Sequence, residues 1–159
     1  MPCGRPGSLQ SPGVARSRRA ARLYVEVHMT REGETFATSE DVRKALAESD
    51  EIFRYCHFET AQLEGGDSDG VFLSCTFQDF KWYWGIFNLA LFVGCKFVGC
   101  TFRGTAFSGC RFVECSFTEC HFLADNLGGL CSASETNTYG CSATDCVGFN
   151  ELFQQTGAT

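Results

Sequence analysis

Between residues 72 and 127 a large apolar side chain returns at every fifth position: Phe72, Phe77, Trp82, Phe87, Phe92, Phe97, Phe102, Phe107, Phe112, Phe117, Phe122 and Leu127. Two places before most of them stands a small residue: Gly70, Cys75, Gly85, Ala90, Cys95, Cys100, Thr105, Cys110, Cys115 and Cys120, with Phe80 and Asp125 as the departures. The other positions of each unit are mostly polar or glycine. A period of five fits neither a helix nor an extended strand. Two inward side chains two residues apart do fit a very short strand. The remaining positions then face solvent or turn the chain through a corner. Four corners of roughly 90° close a square coil, and such coils stack at about 4.8 Å with backbone hydrogen bonds between them. The predicted fold class is an all-β solenoid of about 4–5 coils.

The twenty-residue period of such a coil is visible in other columns. Leu73, Val93 and Val113 form an apolar one, and Cys75, Cys95 and Cys115 a thiol one. The third reads Phe80, Cys100 and Cys120. Upstream, "CHFETAQLEGG" (Cys56 to Gly66) supplies two more units centred on Phe58 and Leu63. A slip of one residue before Phe72 then implies a bulge or loop at "GGDSDG". Beyond Leu127 the phase shifts. Cys131, Cys141 and Cys146 precede small would-be centres, Ala133, Ala143 and Gly148, which predicts one imperfect final coil. Val147, Phe149, Leu152 and Phe153 are expected to fold over that open end. "TSEDVRKALAESD" (38–50) reads as a short helix capped by Thr38 or Ser39, with Val42, Ala45 and Leu46 on one face. With Ile52 and Phe53 it is expected to cover the other end. The expected organisation is a Pro/Gly/Ser/Arg-rich tail over 1–28, an N-terminal cap over 29–55, the solenoid over 56–153 and a flexible end over 154–159. Met29 is an alternative start of the chain, and Arg16, Arg18, Arg19 and Arg22 an alternative basic arm.

These five-residue units resemble the pentapeptide-repeat family, whose unit is written A(D/N)LXX. The resemblance is strong over 70–129 and implies a right-handed quadrilateral β-helix. The chain departs from the family's unit in using Phe at ten of twelve centres, and only Asn126 carries the Asp/Asn expected before a centre. The resemblance also implies a function class. Members include antibiotic-resistance proteins that mimic duplex DNA and bind type II topoisomerases such as DNA gyrase.

Charge narrows the partners. The chain carries 13 basic and 19 acidic residues, net -6. From Met29 onward the count is 8 basic and 18 acidic, net -10. Direct binding to nucleic acid or anionic membranes is not expected. No apolar run approaches the roughly 20 residues of a membrane span, and the apolar core of a signal peptide is missing. The eleven Cys change little. At a spacing of five, successive thiols lie on different corners and do not converge on one ion. Parallel stacked thiols rarely reach disulfide torsions. Cys75, Cys95, Cys100, Cys110, Cys115 and Cys120 read as core filler, which fits a reducing cytoplasm. His28, His57 and His121 stand in no catalytic motif, and no phosphate-binding loop occurs. "GGDSDG" lacks the ligand count of a calcium loop. No catalytic, cofactor or metal residues are assigned, and an enzyme is not expected.

One feature is left over. In "FKWYWGIFNLALFV" the outward or turn positions include Tyr83, Trp84, Ile86, Leu89 and Leu91. Either the helix and "IFRY" bury them, or they form a protein interface, to a partner or to a second copy in a homodimer. The expected function is a non-enzymatic scaffold or protein-interaction module. The alternative is an acidic DNA mimic directed at a type II topoisomerase, which needs a longer rod than three regular coils of about 14 Å.

Overall fold

The computed structural model describes residues 29–154, so the expectations for 1–28 and 155–159 lie outside the described residues. The chain winds into a four-sided coil whose sides are parallel ladders of very short strands. Side I stacks Thr30–Glu32, Ile52–Arg54, Val71–Leu73, Leu91–Val93, Arg111–Val113 and Asn137–Tyr139. Side II stacks Thr35–Phe36, His57–Glu59, Thr76–Gln78, Lys96–Val98, Ser116–Thr118 and Ser142–Thr144. Side III holds Gln62–Glu64, Lys81–Tyr83, Thr101–Arg103 and His121–Leu123, and side IV holds Asp67–Ser68, Ile86–Asn88 and Ala106–Ser108. In the regular coils each strand pairs with the one twenty residues on, as in Phe72↔Phe92↔Phe112 and Phe77↔Phe97↔Phe117.

The core is a set of phenylalanine columns. On side I the rings of Phe53, Phe72, Phe92 and Phe112 stack at 5.1, 4.8 and 4.6 Å between centroids. On side II, Phe36, Phe58, Phe77, Phe97 and Phe117 stack at 4.9, 4.7, 4.8 and 4.7 Å. Phe87 and Phe107 stack on side IV, and Phe102 and Phe122 on side III. Neighbouring columns meet edge to face, as Phe72 does with Phe77 at 5.4 Å. Stacked within a column and perpendicular between columns, the rings occupy both favoured aromatic geometries. Every centre from Phe72 to Phe122 is buried.

The small inward residues have a second role. Cys95 Sγ reaches the carbonyl oxygen of Phe72 at 3.2 Å, Cys100 Sγ that of Phe77 at 3.2 Å, and Cys110 Sγ that of Phe87 at 3.2 Å. Thr105 Oγ1 donates to the Trp82 carbonyl at 2.9 Å, and Thr136 Oγ1 to that of Phe107 at 2.9 Å. Cys and Thr thus serve the same slot: a small side chain with a weak or strong donor for a carbonyl of the coil below. Trp82 has no room for even a methyl group there. A Cβ on Gly85 would lie 1.9 Å from the indole, whose Nε1–H donates to Gly65 O at 2.8 Å.

Departures from the twenty-residue coil occur beside side IV. Phe53 pairs with Phe72 nineteen residues on, because the Asp67–Ser68 strand lacks its third residue. That places the expected slip at the corner before Phe72. Phe53 is a coil centre, not merely a cover over the end. The larger departure corrects the core assignment of Leu127, which is 90 % exposed. Six extra residues separate Thr105, inward on one coil, from Cys131 above it, since Ala106 bridges Ser132. Ala124–Leu130 therefore leaves the coil as a loop that carries Leu127 out with it. The loop is tied by Asp125, whose Oδ1 accepts N–H bonds from Leu127 at 2.8 Å and Gly129 at 2.7 Å. The final coil places Ala133, Thr138 and Ala143 over Phe107, Phe112 and Phe117. Val147 does not fold over the end. It bridges His121 and stays exposed, because side III continues through it.

Both ends are covered. Helix α1 (Ser39–Ala47) is capped by Thr38, whose Oγ1 accepts the Asp41 N–H at 3.1 Å. It buries Val42, Ala45 and Leu46 against the Gln62–Glu64 and Asp67–Ser68 strands, and so replaces sides III and IV of an incomplete first turn. At the other end, helix α2 (Phe149–Phe153) lowers Phe153 among the rings of Phe107, Phe112, Phe117 and Phe122, at 5.5–6.2 Å.

One inward slot is occupied by a charge-bearing residue. Glu51 takes the place that Gly70, Ala90 and Cys110 hold above it, and is 6 % exposed with Oε2 lacking a hydrogen-bond partner. Arg31 Nη1 stands 4.0 Å away. Desolvation first, then the neighbouring Glu48 carboxyl, pushes Glu51 up to about 7 against the pull of Arg31.

Three outcomes are expected. Phe92→Ala, in the middle of a stack, should lower stability by about 3–5 kcal/mol in equilibrium unfolding, and a loss under about 1 kcal/mol would refute the packed column. Because Glu51 is raised, the folded chain holds its proton while the unfolded chain has released it. Its share of stability is therefore complete below about pH 4 and is lost as pH rises to about 7. Glu51→Gln should accordingly be more stable than wild type by about 1–3 kcal/mol at pH 8, with the gap closing below pH 5. A gap that widened on acidification would contradict the assignment. Burial pushes the Cys110 thiol up to about 11 and the Cys100 thiol well above its usual range. Native maleimide labelling should reach half-exposed Cys131, Cys141 and Cys146 before Cys95, Cys100, Cys110, Cys115 and Cys120. Equal rates would show that the second group is not shielded.

Candidate protein-interaction surface

Each five-residue unit from Phe72 to Phe117 ends in a left-handed residue two places after its centre. Coil by coil these corners read Ser74, Asp79, Trp84, Leu89, then Gly94, Gly99, Gly104, Gly109, then Glu114 and Glu119. A non-glycine residue costs on the order of 1 kcal/mol in this conformation. The all-glycine coil follows from the coil below it. A Cβ on Gly109 would lie 2.6 Å from Leu89 Cδ2, and one on Gly99 would lie 2.7 Å from Asp79 Oδ1. The large corner side chains lean over the next coil, and glycine leaves them space.

That geometry sets Trp84 and Leu89 as ridges on either side of side IV. Between them Ile86 and Asn88 point outward, below Ala106 and Ser108 of the next coil. The result is an open trough of about 580 Å³ lined by Asp67, Trp84, Ile86, Asn88, Ser108 and Ser134. Leu89 is 71 % exposed, Ile86 43 % and Trp84 39 %, while Tyr83 and Leu91 are half-buried on the adjoining sides. Past Leu89 the apolar surface continues onto side I, where Val71, Leu73, Leu91, Val93 and Val113 point outward and are half-buried.

Helix α1 does not roof this surface. It lies over the open end of sides III and IV, where the incomplete first turn exposes core, and α1 and Tyr83 meet only across a cavity that Arg43 also lines. The "IFRY" segment contributes Phe53 to the core and cannot cover the ridge either. Trp84 is oriented instead by the Ala124–Leu130 loop, its Nε1–H donating to Asp125 Oδ2 at 2.8 Å. The indole, followed by the backbone N–H groups of Gly129 and Leu127, holds the Asp125 carboxyl below the usual carboxylate range. Asp125 was legible in the sequence only as a break in the repeat. Its spacing to Trp84 gives no local signal, because the two meet through coil stacking.

The candidate chemistry elsewhere is sparse. Among the described residues no three His, Cys, Asp or Glu side chains converge in metal-binding geometry, and the ten described Cys are free thiols. His57 and His121 are exposed on different sides. No described helix is long and apolar enough to cross a membrane.

Comparison with known proteins places this architecture. The family description "Pentapeptide repeats" matches residues 86–122 in eight copies. No curated protein matches the chain. Among solved structures, it is similar to a pentapeptide repeat protein, Rfr23, from the cyanobacterium Cyanothece 51142, at 12 % identity over 84 % of this chain and 99 % of that one, TM-score 0.28. It is also similar to QnrB1, a plasmid-mediated fluoroquinolone resistance protein, at 12 % identity over 72 % of each chain, TM-score 0.19. With five-residue units on four sides and a Phe at the centre of most, the chain folds as a right-handed quadrilateral β-helix, and its most regular stretch, residues 86–122, matches the repeats of the pentapeptide-repeat family.

Proposed function

We propose that this protein is a non-catalytic scaffold that holds another protein against the apolar ridge of Tyr83, Trp84, Ile86, Leu89 and Leu91. The match to the family's repeats supports the general role, scaffolding and protein binding. The observation that carries the specific reading is the uncovered ridge. Trp84, Ile86 and Leu89 are exposed large apolar side chains that sit together on the most regular coils. Exposed apolar area costs about 25 cal/mol per Å², which an interface recovers. The strands beneath are fixed by stacked rings, so the ridge loses little conformational freedom on binding. A tryptophan already oriented by Asp125 is the kind of rigid anchor that concentrates binding energy. A second copy of the chain is one candidate occupant, and a reducing cytoplasmic setting goes with the buried free thiols.

The topoisomerase-directed mimic is the weaker reading. Its support is the acidic corner column of Asp79, Glu119 and Asp145, but Gly99 interrupts that column and Lys81 and Lys96 stand beside it.

Leu89→Asp is the informative variant, because Asp tolerates the left-handed region better than Leu and the position is exposed. Its stability should stay within about 0.5 kcal/mol of wild type. Sedimentation should show it monomeric where wild type self-associates, or affinity capture from the native cell extract should lose a stoichiometric partner that wild type retains. An unchanged sedimentation profile together with an unchanged set of captured proteins would refute the ridge as the contact.

A further inference from the structure

The charges of the described residues are unevenly placed. Eighteen acids outnumber eight bases, yet side III and the helix at its N-terminal end carry a strip of basic side chains. Arg43 on α1, Lys81 and Arg103 on successive strands, and His121 on the strand after that give one basic side chain at each level. Arg43 and Lys81 share a cavity of about 330 Å³ with Gln62, Leu63, Glu64 and Tyr83. Arg103 is held in place: its Nη1 donates to Ala124 O at 3.2 Å, and its guanidinium lies 5.9 Å from the Tyr83 ring centre.

Among the described residues no ion pair joins Arg43, Lys81 or Arg103 to the acids near them. The ion pairs of the described residues join Arg31 to Glu34 and Glu51, and Lys44 to Glu40, all in the N-terminal cap. Arg43, Lys81 and Arg103 are outside them. Glu64 lines the cavity without an ion pair to any of them. Asp125 is engaged by the Trp84 indole and two backbone N–H groups.

From this we infer that the partner of the ridge presents an acidic, carboxylate-bearing peptide segment, which lies along side III and places its apolar residues over Trp84 and into the trough of side IV. This rests on the protein-binding reading above and names the chemistry of its partner. Coil levels rise about 4.8 Å, and alternate residues of an extended peptide are about 6.8 Å apart. Acids on every second residue therefore come within reach of the cations, which step diagonally from Lys81 to Arg103. Running edge-on beside the corner between sides III and IV, such a peptide turns its acids toward side III and the apolar residues between them toward the ridge on side IV. A nucleic acid fits less well. The strip is a single cation wide and offers a phosphate backbone, charged at every nucleotide, few counter-charges.

The test is fluorescence anisotropy of the full chain with a labelled twelve-residue peptide alternating Glu and Leu. Controls are the same peptide with Lys for Glu and a twelve-nucleotide single strand. The acidic peptide should bind, the basic peptide should not, and affinity should fall about tenfold or more between 50 and 500 mM salt. Arg43→Glu with Lys81→Glu, both exposed positions, should weaken binding by at least about tenfold without altering the melting curve. The inference is overturned if the acidic peptide fails to bind, if both peptides bind alike, if the charge reversal is silent, or if the oligonucleotide binds more tightly. Leu89→Asp separates the two claims. If it abolishes partner capture while the charge reversal leaves capture intact, the ridge stands and the acidic partner falls. If neither variant affects capture, both fall.

Discussion

A benzene ring stacked on another sits 4.6–5.1 Å from it in the long columns of this protein, and parallel strands pair at nearly the same distance. That coincidence lets one repeat satisfy two demands at once. The backbone ladder fixes the vertical spacing, and the rings need that same spacing to stay in contact. Four columns sharing one interior then face each other edge to face, which leaves most units room for only one large side chain, with Phe80 beside Trp82 the exception. The second inward residue is then mostly small, and where it is Cys or Thr it also answers a carbonyl of the coil below. Cys and Thr meet both conditions, which explains why a chain with so many thiols uses them structurally.

The repeating part was legible because its constraint is local: five residues decide one ring and one filler. Phe72 to Phe122 could be placed inward by counting alone. Leu127 was misplaced because counting cannot see an insertion whose length nearly preserves the phase. Six extra residues look like one more unit with a slip of one, and only the Ala106–Ser132 bridge shows that the unit left the coil. In the sequence Phe53 has the look of an end cover, because the missing strand residue beside Ser68 hides its registry with Phe72. Glu51 is illegible for the opposite reason. A carboxylate in a filler slot contradicts the rule that made the other slots readable.

The outer surface was harder to read than the core, since nothing in the five-residue period dictates it. Its apolar ridge arises from corners that hold large side chains in a strained conformation, tolerated because the next coil is glycine at all four corners. The placement of α1 was open in the sequence for a similar reason. An amphipathic helix of nine residues goes where unfilled core is greatest, and that was the missing half of the first turn, not the ridge.

The two covers differ in kind, and this bears on how such a chain can change length in evolution. Phe153 touches one ring from each of four sides, so it recognises a full coil and not any particular residue number. Duplicating or deleting a whole coil between Phe72 and Phe112 would present the same four rings to the same plug. Gaining or losing a single five-residue unit would rotate that end a quarter turn against α1, and displace Asp125 from Trp84. Lineages of this protein should therefore drift in steps of whole turns, with fractional changes tolerated only beside side IV, where one residue is already missing and six have already been absorbed.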